Sequence, residues 1–268
     1  KKVGWTITLF PSIILYSVSF LREAYISFFL LLALYGMVSW IKNDDYKSIT
    51  LSLIAFAVAA LFHGPMIIGA IILMILIFTI YLKKLFKSLI NLHINLKNLT
   101  IFLLCITIIG LYVSNKISIP YLGTFENSIS IDFLFEKMIN ASKGDASWPE
   151  WTIAKSGIEM LYKAPVRSIY FVFSPFPWDI TKPAHFLGFL DALLYYYLVF
   201  LILRNLKVIW RDPALRIILI ILLSYIFVFG FGVGNFGTAL RHKSKFASMF
   251  ILLAAPLIKR LIFKKNVF

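Results

Sequence analysis

The sequence predicts an all-α, polytopic membrane protein, and two properties of its composition carry that prediction. Hydrophobic residues make up 60% of the 268 positions and charged residues only 15%, whereas soluble domains average about 45–50% and about 25%. The apolar residues also fall in runs, and a run of about 20 residues can cross a bilayer as a helix. We therefore treat residues 1–268 as a single transmembrane domain.

About eight apolar runs are long enough, or nearly so, to span the membrane. They lie at 3–20, 24–41, 49–62, 65–82, 99–115, 186–203, 215–232 and 246–262. Pro11 falls inside the first run and is expected to kink it. A shorter stretch, Ser168 to Phe176, runs into two prolines that cannot continue a helix. We interpret it as re-entrant or interfacial, with Trp178 at the depth of the lipid headgroups.

One long segment, about 115–185, separates the fifth and sixth runs and is predicted to form an external loop. Within it, Ser147 to Glu150 has the spacing of a helix capping box. The apolar face of the following helix would carry Trp151, Ala154, Ile158 and Leu161. This pattern predicts an amphipathic helix lying on the outer leaflet, and the alternative is a plain structured loop.

Membrane topology accounts for most of the net charge of +15. If the N-terminus is cytoplasmic, the inside segments hold 16 of the 27 Lys and Arg residues and three acids, a net of +13. The outside segments then carry a net of only +2. Because basic residues favour the cytoplasmic side, this split predicts that both termini of this chain are cytoplasmic. The charge therefore requires no nucleic-acid partner.

Several kinds of site have no sequence signal. The single cysteine, Cys105, lies in an apolar run, which excludes an internal disulfide and a cysteine metal cluster. The sequence also lacks the phosphate loop of nucleotide-binding proteins, the zinc motif of metalloproteases and the nucleophile elbow of serine hydrolases. We predict no metal and no cofactor. The chain begins Lys-Lys-Val, so we expect a piece of a longer protein in which no signal peptide can be identified.

Four groups of polar residues fall on the predicted outer side. They are Arg22-Glu23, His63, the stretch from Arg167 to Lys182, and the stretch from Gly232 to Lys245. The last group is the most informative because it concentrates basic residues and glycines on the face where basic residues are disfavoured. Arg, Lys and accessible backbone N–H groups bind phosphate well, and charge close to a bilayer marks a candidate site. The alternative is a basic loop paired with anionic headgroups.

The other groups allow two interpretations each. Arg22 would bind an anion while Glu23 acts as a base or supports Arg22, but the pair could equally be a solvated turn. A lone histidine such as His63 is more often structural than functional. Trp178 could stack on a sugar and Asp179 could bind its hydroxyls. Asp191, inside the sixth run, should face protein or water.

A transferase outside the cytoplasmic membrane has no pool of nucleotide sugars, so its donor must already be activated on a lipid. A polyprenyl-diphosphate-linked sugar carries its own leaving group. Such an enzyme needs Arg and Lys to stabilise the diphosphate, and a Glu or His to deprotonate the acceptor hydroxyl. The four groups contain these residue types.

Two segments resemble the O-antigen polymerase (Wzy-type) family of bacterial polysaccharide polymerases. The first is Phe10-Pro11-Ser12 followed by Leu21-Arg22-Glu23-Ala24, and the second is Asn235 to Lys243 before the last run. The resemblance implies polymerisation of polyprenyl-diphosphate-linked oligosaccharide repeat units at the outer face of the bacterial cytoplasmic (inner) membrane, in surface polysaccharide biosynthesis. Members of this family usually have more crossings, which agrees with an upstream portion.

The resemblance and the residue chemistry together suggest a role for each candidate. Arg241 and Lys243, with Arg22 or Arg167, would bind the diphosphate, and Lys245 and His63 would be further substrate-binding residues. Glu23 or His242 would be the base. Trp178 and Asp179 would line the path of the acceptor sugar. We expect Arg22, Arg167 and Arg241 to line one outward-facing cavity.

Three other functions stay open at this point. The chain could be another membrane-embedded lipid-linked-sugar glycosyltransferase or an O-antigen ligase. It could be a transporter or flippase of lipid-linked glycans, which would place charges along a path through the bilayer. It could also be a structural subunit, in which Arg22 and Arg241 would lie far apart. The expected partners are the bilayer, the lipid-linked glycan and polysaccharide-assembly membrane proteins.

Overall fold

The computed structural model describes Ile14 and residues 22–90, 96–119, 123–141 and 147–262. All regular elements in these ranges are helices. In chain order, α1 to α12 are Arg22–Asn43, Tyr46–Phe62, Ile67–Ile90, Leu96–Val113, Phe125–Ile129, Ile131–Ala141, Gly157–Phe173, Pro183–Arg204, Leu206–Arg211, Pro213–Gly232, Phe236–Lys243 and Ala247–Ile262. Single 3₁₀ turns lie at Gly64–Met66, Glu150–Thr152, Pro177–Asp179 and Ser244–Phe246. The predicted first crossing, 3–20, lies outside the described residues except for Ile14.

Three segments are long and apolar enough to cross a membrane: Arg22–Asn43, Gly64–Ser88 and Pro213–Gly232. Shorter apolar helices occupy Tyr46–Phe62 and Asn98–Val113. All five coincide with predicted crossings, and α8 and α12 occupy the positions of two more. These helices agree with a helical membrane protein, while the number of eight crossings stays a prediction.

Helices α1 and α2 form a tight hairpin. Asp45 begins α2, because its carboxylate accepts a hydrogen bond from the Ser48 N–H at 2.7 Å. Gly36 lets the helices approach, since a Cβ there would lie 2.6 Å from the Ser48 carbonyl oxygen. Ser52 then donates to the Ala33 carbonyl oxygen at 2.7 Å across the contact. The hairpin places the start of α1 and the end of α2 at the same end of the molecule.

Helix α10 lies at the centre of the packed helices and contacts α1, α3, α7 and α12. Its Tyr225 is fully buried and donates to the Met66 carbonyl oxygen at 2.9 Å. This bond ties α10 to the turn that follows His63. Gly230 allows α7 to approach closely, because a Cβ there would lie 2.6 Å from the Ser168 Cα. The packing therefore brings the end of α10 to the same end as the hairpin termini.

The helix of the external segment begins later in the chain than predicted. The predicted helix start at Ser147 is wrong, because the helix begins after Ser156, whose hydroxyl accepts from the Glu159 N–H at 3.2 Å. Ser147 instead forms an isolated β-bridge with Asn235. Helix α7 ends at Phe173, before Pro175 and Pro177, where a helix was expected to stop.

The predicted apolar face of this segment is only partly exposed. Three of its four members are at least half exposed: Trp151, Ile158 and Leu161. Ala154 is buried in the protein. Contact between this segment and the outer leaflet stays a prediction.

Candidate functional site

Three parts of the fold meet around the carboxylate of Glu23. The start of α1 supplies Arg22 and Glu23, the end of α2 supplies His63, and the end of α11 with its following turn supplies Arg241, His242 and Lys245. We call these six residues the Glu23 cluster. Glu23 and Arg241 are 218 positions apart in the chain, so the cluster is a product of the tertiary fold.

Glu23 organises the basic groups of the cluster. Its side chain is 1% exposed, and Oε1 accepts a hydrogen bond from Arg241 Nε at 2.7 Å. The same oxygen lies 3.8 Å from Arg22 Nε and 3.8 Å from Lys245 Nζ. One buried carboxylate thus holds two guanidinium groups and an ammonium group close together, which leaves positive charge in excess.

The two guanidinium groups differ from Lys245 in their access to solvent. The side chains of Arg22 and Arg241 are 49% and 36% exposed, whereas Lys245 is 0% exposed. Because Arg presents several N–H donors in a plane and Glu23 takes few of them, both arginines keep donors for an anionic ligand. The arginines therefore form the open side of the cluster and Lys245 its floor.

The two histidines lie beside this floor. His242 Nδ1 is 2.8 Å from Lys245 Nζ, and the rings of His63 and His242 are 4.9 Å apart. Phe229 packs against both rings, at 5.4 Å and 5.1 Å between centroids. The imidazoles therefore sit between an apolar wall and the basic groups.

Burial and repulsion lower the pKa values of three members of the cluster: His63, His242 and Lys245. Burial lowers the pKa of His63 to about 3, helped by the charges of Lys245, Arg22 and Arg241. Burial and the same charges hold the pKa of His242 far below its usual range. Burial also lowers the pKa of Lys245 to about 7, although Glu23 acts in the opposite direction. Both imidazoles are therefore neutral at physiological pH, and Lys245 titrates there.

Lys243 points the other way, which corrects its predicted contact with the diphosphate. Its side chain is 1% exposed, and Nζ lies 3.4 Å from Asp191 Oδ2 and 3.3 Å from the Ser174 carbonyl oxygen. It also lies 4.8 Å from the ring centre of Tyr195, whose hydroxyl donates to the Lys243 carbonyl oxygen. These contacts anchor α11 to α8, and so they hold Arg241 and His242 in place.

Arg167 also departs from its prediction. It is 0% exposed, and its guanidinium donates to the carbonyl oxygens of Thr152, Phe231 and Val233 at 3.0, 3.3 and 2.6 Å. Burial lowers its pKa to about 10, which still leaves it charged at neutral pH. These three bonds fasten the external segment to the end of α10. The structure therefore brings Arg22 and Arg241 together at Glu23, and Arg167 does not join them.

Of the two residues predicted to line the path of the acceptor sugar, Asp179 is buried and Trp178 is exposed. Asp179 is 9% exposed, and its Oδ2 accepts from the Phe176 N–H at 3.2 Å. Burial raises the pKa of this carboxyl group. The bond from Phe176 is a cap contact of the short turn and not a contact with a sugar. Trp178 is 73% exposed, and its ring stacks on Phe176 at 4.9 Å. Trp178 is therefore available to a ligand.

Helical spacing was the signal that would have separated these basic residues. Residues four apart share a helix face, whereas residues two apart point in nearly opposite directions. Arg241 and Lys245 are four apart, and Lys243 lies midway between them. The prediction of one phosphate-binding group for all three is therefore corrected for Lys243, whose partner is Asp191.

Within the part of the chain that the structure describes, no group of three or more His, Cys, Asp or Glu side chains could hold a metal ion. The comparisons with known proteins add no relative: no protein-family model, no curated protein and no solved structure matches this chain.

Proposed function

We propose that this protein polymerises polyprenyl-diphosphate-linked oligosaccharide repeat units at the outer face of the bacterial cytoplasmic membrane, for a surface polysaccharide. The observation that carries the proposal is the Glu23 cluster, in which Arg22 and Arg241 converge on one buried carboxylate and stay partly exposed. The cluster lies at the end of a set of apolar helices. A ligand that suits it has an anionic head and an apolar tail.

The first step of the proposed reaction is binding of the lipid diphosphate. Arginine fits phosphate oxygens with paired N–H donors, and such charge-assisted bonds are about twice as strong as neutral ones. Glu23 keeps the guanidinium groups of Arg22 and Arg241 together before the ligand arrives, which reduces the free energy needed to gather like charges. As the sugar leaves, the diphosphate gains negative charge, and the same two groups stabilise it.

The second step is attack by the acceptor. A sugar hydroxyl of the acceptor attacks the anomeric carbon of the donor, and the bond from that carbon to the diphosphate breaks. The hydroxyl proton must pass to a base. Glu23 is 1% exposed and its Oε1 is taken by Arg241, so it cannot approach a hydroxyl. His242 is only partly buried and neutral, which makes it the better candidate.

Two further features support the assignment. Trp178 offers an exposed aromatic face on which a sugar ring can stack. The net charge of +13 on the predicted inner segments favours an outward-facing cluster. The segments that contain Arg22-Glu23 and Arg241-His242 resemble those of O-antigen polymerases. This resemblance is the reason for proposing a polymer as the product. Partner proteins of polysaccharide assembly belong to the same proposal.

The test replaces Arg241 by Ala in a bacterial host whose own copy of the gene has been deleted. We expect the ladder of long surface polysaccharide to collapse to single repeat units, because the diphosphate loses one of its two exposed cations. Arg211→Ala is the matched control, since Arg211 is an exposed arginine on the predicted inner side. It should leave the ladder unchanged.

The product pattern separates the alternatives. Normal long chains in Arg241→Ala at a normal protein level would refute the role of the cluster. Wild-type protein that adds a single sugar, or that transfers a finished glycan without extending it, would replace the polymerase by another glycosyltransferase or a ligase. Lipid-linked precursor trapped on the inner leaflet of the deletion strain would indicate a transporter.

A further inference from the structure

The contact between Lys245 and His242 has a chemical consequence for proton transfer. Lys245 Nζ and His242 Nδ1 are 2.8 Å apart, which is a hydrogen-bond distance. Lys245 is 0% exposed, so no solvent competes for this contact. The state of each partner therefore restricts the state of the other.

The protonation state of Lys245 limits which arrangements of hydrogen atoms satisfy this contact. An ammonium group has only donors, so a protonated Lys245 forces Nδ1 to accept and leaves the single ring hydrogen on Nε2. A neutral amine has a lone pair, so a neutral Lys245 can accept the hydrogen of Nδ1, which leaves Nε2 free to accept. Only the second arrangement lets Nε2 take a proton from a hydroxyl.

We infer that His242 relays the acceptor proton to Lys245, which is the positioning residue of the proposed base. His242 Nε2 takes the proton of the acceptor hydroxyl while the hydrogen on Nδ1 passes to Lys245 Nζ. The alkoxide oxygen bonds to the anomeric carbon, and the polyprenyl diphosphate leaves with the electron pair of the broken bond. After the step His242 is a neutral imidazole with its hydrogen on Nε2, and Lys245 is an ammonium group. The positive charge that Lys245 gains balances the negative charge that the leaving diphosphate gains.

The relay resolves a difficulty in the use of His242 as a simple base. The low pKa of His242 means that an imidazolium among these cations is unfavourable. In the relay the ring never carries the charge. The ammonium that forms lies 3.8 Å from Glu23 Oε1, which stabilises it.

The groups that face Lys245 determine where it titrates. Glu23 and Arg22 come from α1, His63 from the end of α2, and Arg241 and His242 from α11. Burial and the two arginines lower the pKa of Lys245 to about 7, and Glu23 opposes them. The amine is thus the major form above pH 7 and the ammonium below it. A bound diphosphate adds negative charge and should move this midpoint upward.

The inference rests on the proposed function for its catalytic meaning, but its hydrogen positions can be measured without any activity. The probe is the ¹⁵N spectrum of purified protein labelled at its histidines, with His242 assigned by its loss in His242→Gln. We expect the hydrogen of His242 to move from Nε2 at pH 6 to Nδ1 at pH 9. In Lys245→Arg, a permanent donor, it should stay on Nε2 at both values. An unchanged tautomer in the wild type would overturn the relay, and the titration itself is made on the wild-type protein.

Activity provides the second arm. The value of kcat/KM, which reports the free enzyme, should fall below about pH 7. The value of kcat, which reports the complex, should begin to fall at a higher pH because the bound diphosphate raises the pKa of Lys245. Lys245→Met should lower kcat about 100-fold or more with little change in KM, and should remove the limb near pH 7. A variant that keeps the wild-type kcat and limb would refute the relay while leaving the polymerase intact. A tautomer switch in a protein that makes no polymer would uphold the coupling and refute the function.

Discussion

Replacing Glu23 by Gln tests whether this carboxylate holds the cluster together. The substitution keeps the shape of the side chain but leaves Arg22, Arg241 and Lys245 without the charge that they share. Removing one partner of a buried ion pair destabilises a protein by about 3–5 kcal/mol. Arg241 is 36% exposed and Arg22 49% exposed, so solvent screens part of the loss, and we expect about 2–3 kcal/mol.

The structure offers a matched control for this variant. Asp44 and Lys84 form an ion pair at 2.8 Å, almost the same distance as the 2.7 Å between Glu23 and Arg241. Their side chains are 62% and 35% exposed, and such exposed pairs contribute about 0.2–1 kcal/mol. Asp44→Asn should therefore lower stability much less than Glu23→Gln, although each removes one carboxylate.

The assay is thermal unfolding of the purified variants in the same lipid nanodiscs. With about 2–4 °C per kcal/mol for a chain of this size, Glu23→Gln should lower Tm by roughly 5–10 °C and Asp44→Asn by less than about 4 °C. Equal shifts in the two variants would refute the argument that burial makes the Glu23 pair different.

Three further predictions concern the support of the site. Asp191→Asn should lower stability by about 3–5 kcal/mol, because the buried Lys243 loses its carboxylate, and the double variant Asp191→Leu/Lys243→Met should recover most of that loss in the same unfolding assay. The unfolding free energy, measured by denaturant titration, should fall as pH drops from 6.5 towards 3, because in that range His63 is protonated in the unfolded chain but not in the folded chain. His63→Gln should reduce this dependence of the unfolding free energy on pH. Gly36→Ala should push α1 away from Ser48 and lower Tm, whereas Gly110→Ala, which meets no atom within 4 Å, should not.

Most helices were predictable from the sequence because their cause is local. An uninterrupted apolar run must satisfy its own backbone hydrogen bonds in a bilayer, so it forms a helix wherever it is long enough. The ends follow local signals as well. Asp45 and Asp212 cap the starts of α2 and α10, and Pro175 follows the end of α7. The start of α7 was misplaced because Ser147 and Ser156 both precede a Glu by three residues, and the sequence alone does not choose between them.

For the site, the sequence predicts which residues lie on the same side of the membrane but not which of them are in contact. Alternation of crossings placed Glu23, His63 and Arg241 on one side, and the structure brings these residues together. Which cation meets which partner depends on the rotation and packing of helices that are distant in sequence. Arg167 illustrates this limit: its partners are backbone carbonyl oxygens of three other residues, and no side-chain motif marks such a site.

Polymerisation by purified protein in liposomes, with a polyprenyl-diphosphate-linked repeat unit as the only substrate, would test the proposed function directly. Release of polyprenyl diphosphate and the length of the glycan are measured together. We expect a ladder of products for the wild type and for Arg211→Ala, and a rate about 100-fold lower for Arg241→Ala, the usual effect of removing one group that stabilises developing charge. Equal rates for Arg241→Ala and the wild type, or no extension by the wild type, would contradict the proposed function.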